Sequence, residues 1–490
     1  MKKRFLNLKN LAMIIAFFAG LALFFSCQTQ SKEKQILSFD FTTPYATGII
    51  NESAKTIKVD VPEETDVTSL APIITLSDKA TVSPVSGMAQ DFTNPVVYTV
   101  TAENGSTAKY TVTVTIGGVE PPPPGSEPIE LTSPITTNTT LKNSGLPIDY
   151  IYKGNLLLEV TNSATLTIEP GVTIKIDNEA LTGGISIKPG ATIKAIGTED
   201  KRIQFIGYSN ATGSWRGFEI TSNTDNQFAY CDFRNMGDMQ RDFEGGLQMS
   251  AGAKVGISHC KFTNGKGTGI KVYYYGGACQ FSAFNNNIFE GYENFPPVII
   301  IDSPSLLEYF DMTSDFTNNT KKYIEIEPRE TQKDVAINQT TVPYYFSYAI
   351  PNISNTLTIN EGVTIYLNSH FIEASSGKLN IHGNADKKVK FTRLLGATEY
   401  WNGIYNNSQK ESVIDHCVFE YGGKNSGAMF TIRSSTNLKL NDVAFNNAQG
   451  YGVEIKDCDG YQLTHTNVTF SNNERGNVLD CNGDVLSELP

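Results

Sequence analysis

The 490-residue chain reads as all-β, a small sandwich followed by a long parallel β-helix. Three observations predict this. A Phe-x-Asn signature, or a close variant, returns every 25–29 residues; whole segments recur 186–191 residues apart; and a run of short alternating strands near the start is closed off by four consecutive prolines.

Residues 1–27 read as a targeting segment, to be set aside from the fold. Lys2, Lys3, Arg4 and Lys9 make a positive start, and Leu11 to Phe25 is an apolar run of 15 residues, short for a membrane-spanning helix. Ser26-Cys27 followed by QTQSKEKQ resembles the lipobox of bacterial lipoproteins, which implies that the Cys27 thiol is acylated and becomes the new N-terminus. Phe24 and Phe25 depart from that motif, which prefers Leu and a small residue there. Gln28, rather than Asp, after the cysteine implies sorting to a Gram-negative outer membrane, with the cell surface expected; residues 28–35 are then a tether.

Residues 36–116 carry period-two alternation in Ile57-x-Val59-x-Val61, in Val96 to Val100 and in Tyr110 to Ile116, with Asn104-Gly105 as the turn between the last two strands. Short strands with polar turns over about 80 residues fit an Ig-like sandwich. VTSLAPIITLS and ATVSPVSGMAQDFTNPVVYTVTAENGSTAKYTVTV resemble the Ig-like modules near the lipid anchor in surface lipoproteins of Gram-negative glycan-foraging bacteria. The resemblance implies a spacer. Residues 117–128, GGVEPPPPGSEP, form a linker whose prolines Pro121 to Pro124 favour stiff polyproline II geometry.

Residues 129–490 are the coil. Phenylalanines at 233, 262, 289 and 316, then at 419, 445 and 470, end alternating strands, so Cys231 and Phe233 face inward while Asp232 faces water. Stacked turns would pile ring on ring in one column along a single wound ribbon. The asparagines two places on (Asn235, Asn264, Asn318, Asn447, Asn472) fall where the strand must turn, in left-handed backbone with amides bonding from coil to coil. Gly291 serves the same bend, and Gly422-Gly423 are expected to relieve Tyr421 of it.

A longer period overlies the short one. ATLTIEPGVTIKI from Ala164 returns as NTLTINEGVTIYL from Asn355, Trp215-x-Gly217 as Trp401-x-Gly403, and YCDFRNMG as HCVFEYGG. Two tandem blocks follow, about 129–323 and 324–490, together on the order of 13 turns at ~25 residues per turn. TLTIEPGVTIKI, the Trp-x-Gly strand and the YCDF and HCVF strands resemble right-handed β-helix repeat proteins of the pectate-lyase-like superfamily. The full expectation is an N-terminal Ig-like β-sandwich followed by a long right-handed parallel β-helix. That fold hosts lyases, hydrolases, epimerases and adhesins, so function has to come from the residues.

A net charge of −12 disfavours nucleic acid and weakly disfavours a strongly polyanionic substrate. Cys231, Cys260 and Cys417 take equivalent inward positions and read as buried hydrophobes; the state of Cys279, Cys458 and Cys481 is open, a Cys458–Cys481 bridge between neighbouring turns being one option. No His/Cys pair has zinc-ligand spacing on one face, so neither metal nor cofactor is expected. Arg329 lacks the partner of the Arg-x-Pro-x-x-Arg element of pectate lyases, and the Asn-Thr-Asp, Asp-Asp and Gly-His-Gly elements of polygalacturonases are read as absent. Asp232 and Lys261 are the remaining catalytic candidates, as vertical neighbours on adjacent turns; a ladder of surface charges is the competing reading. Sugar binding needs exposed aromatic faces on a rigid wall, and Tyr273 and Tyr275 with Lys271 between inward Ile270 and Val272 offer one, PYYFSY (Pro343 to Tyr348) another. Duplication makes Trp215 and Trp401 architectural. The leading expectation is a lipid-anchored surface protein that binds extracellular polysaccharide or another polymer without cleaving it, ahead of a polysaccharide lyase or glycoside hydrolase and of a structural or adhesive coil.

Overall fold

The computed structural model describes residues 30–61, 65–116, 127–237, 245–273, 276–301, 304–327, 333–350, 352–424 and 427–490. Cys27, the prolines Pro121 to Pro124, Tyr275 and Arg329 lie outside the described residues. The chain divides into two compact units at Pro123/Pro124.

In the first unit, Ile36–Thr42 pairs antiparallel with Tyr45–Thr47 and Pro72–Leu76. A second sheet runs Ile49–Asn51, Thr56–Val61, Thr107–Ile116, Val96–Thr101, Thr81–Ser83. The alternation read from the sequence is the one that builds it: Ile57, Val59 and Val61 are buried, whereas Lys58 and Asp60 are exposed. Phe39, Phe41, Phe92 and Tyr98 meet mostly edge to face at centroid distances of 5.3–6.5 Å and fill the space between the sheets. Gly105, at φ 82°, turns the Val96–Thr101 and Thr107–Ile116 hairpin.

The second unit is a right-handed parallel β-helix of about 12 turns. Most turns of its first block lay one strand on each of three walls; in the last, the helical turn Pro304–Tyr309 stands in place of the wall 1 strand. Wall 1 runs from Thr139–Leu141 to Gln280–Asn285, wall 2 from Ile129–Glu130 to Asp315–Asn318, and wall 3 from Leu157–Val160 through Gly245–Met249, Thr268–Val272 and Val298–Ile301 to Ile324–Glu327. Apolar side chains at alternate positions point inward and form one continuous core.

The rings stack, in two columns rather than one. On wall 2, Phe205, Phe233, Phe262, Phe289 and Phe316 follow each other at 4.5–5.2 Å. Phe391, Phe419, Phe445 and Phe470 repeat the arrangement at 5.0–5.5 Å, but above wall 3. The reason is a short turn at the junction of the blocks. Wall 2 ends at Asp315–Asn318, and Tyr344–Phe346 stacks on the wall 3 strand Ile324–Glu327 only 20 residues after it, as Ile324 opposite Tyr344. One strand is skipped, and wall 3 continues through Thr364–Leu367, Val389–Arg393, Ser412–Glu420, Asn437–Asn446 and Thr469–Ser471.

Asn235, Asn264, Asn447 and Asn472 have φ between 54° and 58°, as their place at the bend requires, and Gly291 joins them at 76°. Asn318 stays extended within its strand. The amide bonds from coil to coil come from other asparagines. Asn319 Nδ2 donates to the Phe289 and Phe316 carbonyls, and Asn473 Nδ2 to that of Phe445. Tyr421 also departs from expectation: it takes the left-handed bend itself, at φ 60°.

Cys231, Cys260 and Cys417 are fully buried free thiols, Cys279 is a fourth, and Cys458–Cys481 is a disulfide. The two tryptophans do the same job in both blocks. Trp215 Nε1 donates to the Arg234 carbonyl at 2.8 Å and Trp401 Nε1 to the Glu420 carbonyl at 2.7 Å, each fully buried at a corner.

Candidate functional site

The outer face of wall 3 brings together the residues best suited to hold a ligand. Because side chains alternate across a strand and the strands are in register, Lys271, Ile299, Glu325, Tyr345, Tyr366 and Thr392 form one outward column. Its five steps span ~24 Å at about 4.8 Å per strand.

The lower half of this column is packed. Lys271 is only 8% exposed, and its ammonium lies 5.0 Å from the centre of the Tyr273 ring. The pair expected to project as a platform is therefore folded on itself. Glu325 is half-buried, and burial, reinforced by neighbouring Glu327, raises its carboxyl above the usual range against the opposing effect of a Ser347 hydrogen bond. Tyr323 meets Tyr345 edge to face at 5.1 Å.

The upper half opens into a cavity of about 590 Å³. Tyr366, Lys390, Thr392, Glu420 and Tyr421 line its floor, and the loop from Leu394 to Thr398 overhangs it, with Leu395 87% exposed. Lys390 pairs with Glu420 at 2.8 Å, and Thr392 Oγ1 donates to the same carboxylate at 3.4 Å. The Arg393 guanidinium lies 4.0 Å from the Tyr421 ring centre and 5.6 Å from that of Tyr400, and donates to the Thr398 carbonyl at 3.0 Å. Trp401 holds this corner from below through the Glu420 carbonyl. A smaller hollow of about 160 Å³ lies at Gln339 to Tyr344.

PYYFSY splits between the two faces of the wall. Tyr344 is buried in the core, Tyr345 faces outward, and Tyr348 is exposed and stacked on His370 at 5.2 Å.

Asp232 stands opposite Lys261 on the next turn, as read from the sequence, yet the two do not pair. Asp232 is 9% exposed and takes Arg202 Nε at 2.6 Å, with Arg234 at 3.9 Å, while Arg202 also donates to the His259 carbonyl. Lys261 is exposed. The carboxylate is a structural partner of Arg202. The Asn-Thr-Asp element, expected to be absent, is in fact present as Asn223-Thr224-Asp225, but Asp225 pairs with Lys194 at 2.9 Å on the outside of the coil. Among the described residues, no group of three or more His, Cys, Asp or Glu could hold a metal ion, and no helix is long and apolar enough to cross a membrane.

The cavity residues were missed in the sequence because none belongs to a catalytic or binding motif; Tyr366, Glu420 and Tyr421 read only as parts of the repeat. A signal existed in the comparison of the two blocks. At the shared offsets, Lys175 becomes Tyr366, Gln204 becomes Lys390, Gly207 becomes Arg393, Arg234 becomes Glu420 and Asn235 becomes Tyr421, while the Trp, Cys and Phe positions are kept.

Residues 36–114 match the family model described as SGBP, N-terminal, and residues 133–289 match that described as right handed beta helix region. No curated protein matches the chain. Among solved structures, a candidate glycoside hydrolase from Bacteroides thetaiotaomicron VPI-5482 is 37% identical over 19% of this chain, with a TM-score of 0.17, and the match spans 28% of that protein's length. A candidate secreted protein from Bacteroides fragilis NCTC 9343 is 18% identical over 18% of this chain and 98% of its own, with a TM-score of 0.15.

Proposed function

From a chain that joins an N-terminal module matching the SGBP model to a right-handed β-helix, we infer that the protein is a surface glycan-binding protein that holds polysaccharide on wall 3 of the coil without cleaving it. The observation that carries this reading is the cavity of about 590 Å³, where tyrosine rings and hydrogen-bonding side chains share one rigid wall. Aromatic faces bind the apolar side of a pyranose, and fixed polar groups select its hydroxyls. Strands in register hold Tyr366, Lys390, Thr392, Arg393 and Glu420 in place, which keeps the entropic cost of ordering these groups low.

Binding without cleavage is supported by the carboxylate inventory. Glycoside hydrolysis ordinarily needs two carboxyl groups flanking the bond. Glu420 is the one carboxylate among the residues lining the cavity, and it is neutralised by Lys390. A glycan-array screen of residues 30–490, read together with assays for new reducing ends and for unsaturated products absorbing in the ultraviolet, tests this. Binding without product is expected; product formation would replace the reading with the enzymatic one.

The N-terminal module then serves as a spacer, and Cys27 as the site of lipid attachment in the outer membrane, facing the medium. The positive start, apolar run and cysteine of residues 1–27 support this. Wild-type protein should partition into detergent and be accessible to protease on intact cells, while Cys27→Ala should move to the aqueous phase. Equal partitioning of the two would remove the anchor.

A further inference from the structure

We propose that the wall 3 cavity recognises a sugar unit bearing a single carboxylate, through the in-plane N–H edge of Arg393, within a glycan that is otherwise largely neutral. This rests on the glycan-binding reading and assigns the chemistry of its central contact.

The charge balance of the cavity is the first argument. Its lining carries two cations, Lys390 and Arg393, and one anion, Glu420. Lys390 and Glu420 cancel at 2.8 Å. Nearby Glu399 is taken by Lys424, and Glu474 accepts from the Tyr400 hydroxyl at 3.3 Å. Arg393 is thus left without a carboxylate partner among the described residues, its one hydrogen bond there going to the Thr398 carbonyl.

The second argument is orientation. An arginine held face-on against an aromatic ring presents its N–H fork edgewise, the arrangement that matches a carboxylate with two parallel hydrogen bonds. The Arg393 guanidinium carbon lies over the Tyr421 ring at 4.0 Å, within stacking distance, and the Tyr400 ring stands farther off at 5.6 Å. Both blocks share the fold at this corner, yet the first has Gly207 and Asn235 where the second has Arg393 and Tyr421. Tyr421 occupies the bend at φ 60°, which Asn235, Asn264, Gly291, Asn447 and Asn472 take in their turns. A bulky residue in left-handed backbone is costly, and such strain collects where a side chain serves a ligand.

The third argument limits the ligand. With a net charge of −12, the chain repels a densely charged polyanion, so the carboxylates must be sparse.

The test uses the full-length chain on a glycan array containing neutral, uronate-bearing and sulfated glycans, each uronate glycan printed beside its carboxyl-reduced form. Uronate glycans should bind at least tenfold more tightly than their reduced forms, since a charge-assisted bidentate pair discriminates by about ten- to a hundredfold. Arg393→Gln should abolish the difference, with Arg393→Lys intermediate, both keeping the wild-type circular dichroism spectrum. Equal binding of native and reduced forms, or hits confined to neutral or sulfated glycans, would overturn the carboxylate assignment and leave glycan binding standing. Binding to nothing on the array would overturn both.

Discussion

Tyr421 shows how one residue trades stability for a surface. Its place in the repeat belongs to asparagine or glycine, which accept φ near 60° at little cost; tyrosine there is strained by ~1–2 kcal/mol. Tyr421→Asn should therefore raise the stability of the coil by about 1 kcal/mol in denaturant melts while weakening glycan binding, because Arg393 loses the ring it rests on. A destabilised variant with unchanged affinity would remove the residue's assigned role. Trp401 makes the opposite case. Its indole N–H satisfies the buried Glu420 carbonyl at 2.7 Å, and Trp401→Phe should cost about 1–3 kcal/mol by leaving that oxygen unpaired. Trp215→Phe should cost the same through the Arg234 carbonyl. The tryptophans and thiols were legible in the sequence because duplication marks what the fold needs. The cavity was not, because what distinguishes Arg393 and Tyr421 is that the copies differ there.

At the scale of strands, stacking of like residues in register is the source of order. Phe289 and Phe445 each sit between two stacked rings and are almost wholly buried, so replacing either by alanine should cost about 3–5 kcal/mol, readable as a shift in the denaturation midpoint. The spacing of the phenylalanines predicted these stacks but assigned them to one column. Spacing reports the length of a turn and is silent on which wall a strand joins, so the 20-residue turn from Ile324 to Tyr344 moved the second column onto wall 3. That same turn places Glu325 where burial raises its carboxyl above the usual carboxylate range. The sign follows directly: the folded state favours the protonated form, so stability present below the unfolded value is lost as pH rises through the raised one. Glu325→Gln should match wild type in melting temperature near pH 4 and exceed it near pH 7; a constant difference across that range would contradict the assignment.

For the molecule as a whole, the sequence made the order of parts readable, since composition changes sharply from alternating strands to prolines to repeats. It also raised the expectation of a glycan platform at Lys271, Tyr273 and Tyr275, where the structure packs the Lys271 ammonium against the Tyr273 ring. Alternation tells which residues face outward; it does not tell which of them are then covered. The open stretch lies higher on the same wall, from Tyr366 to Tyr421. The most direct measurement is affinity electrophoresis through gels containing the polysaccharide best bound on the array. Wild type and Asp232→Asn, which alters the paired carboxylate on wall 2, should be retarded alike, and Tyr366→Ala/Arg393→Ala should run free. Undiminished retardation of the double variant would contradict binding at this wall.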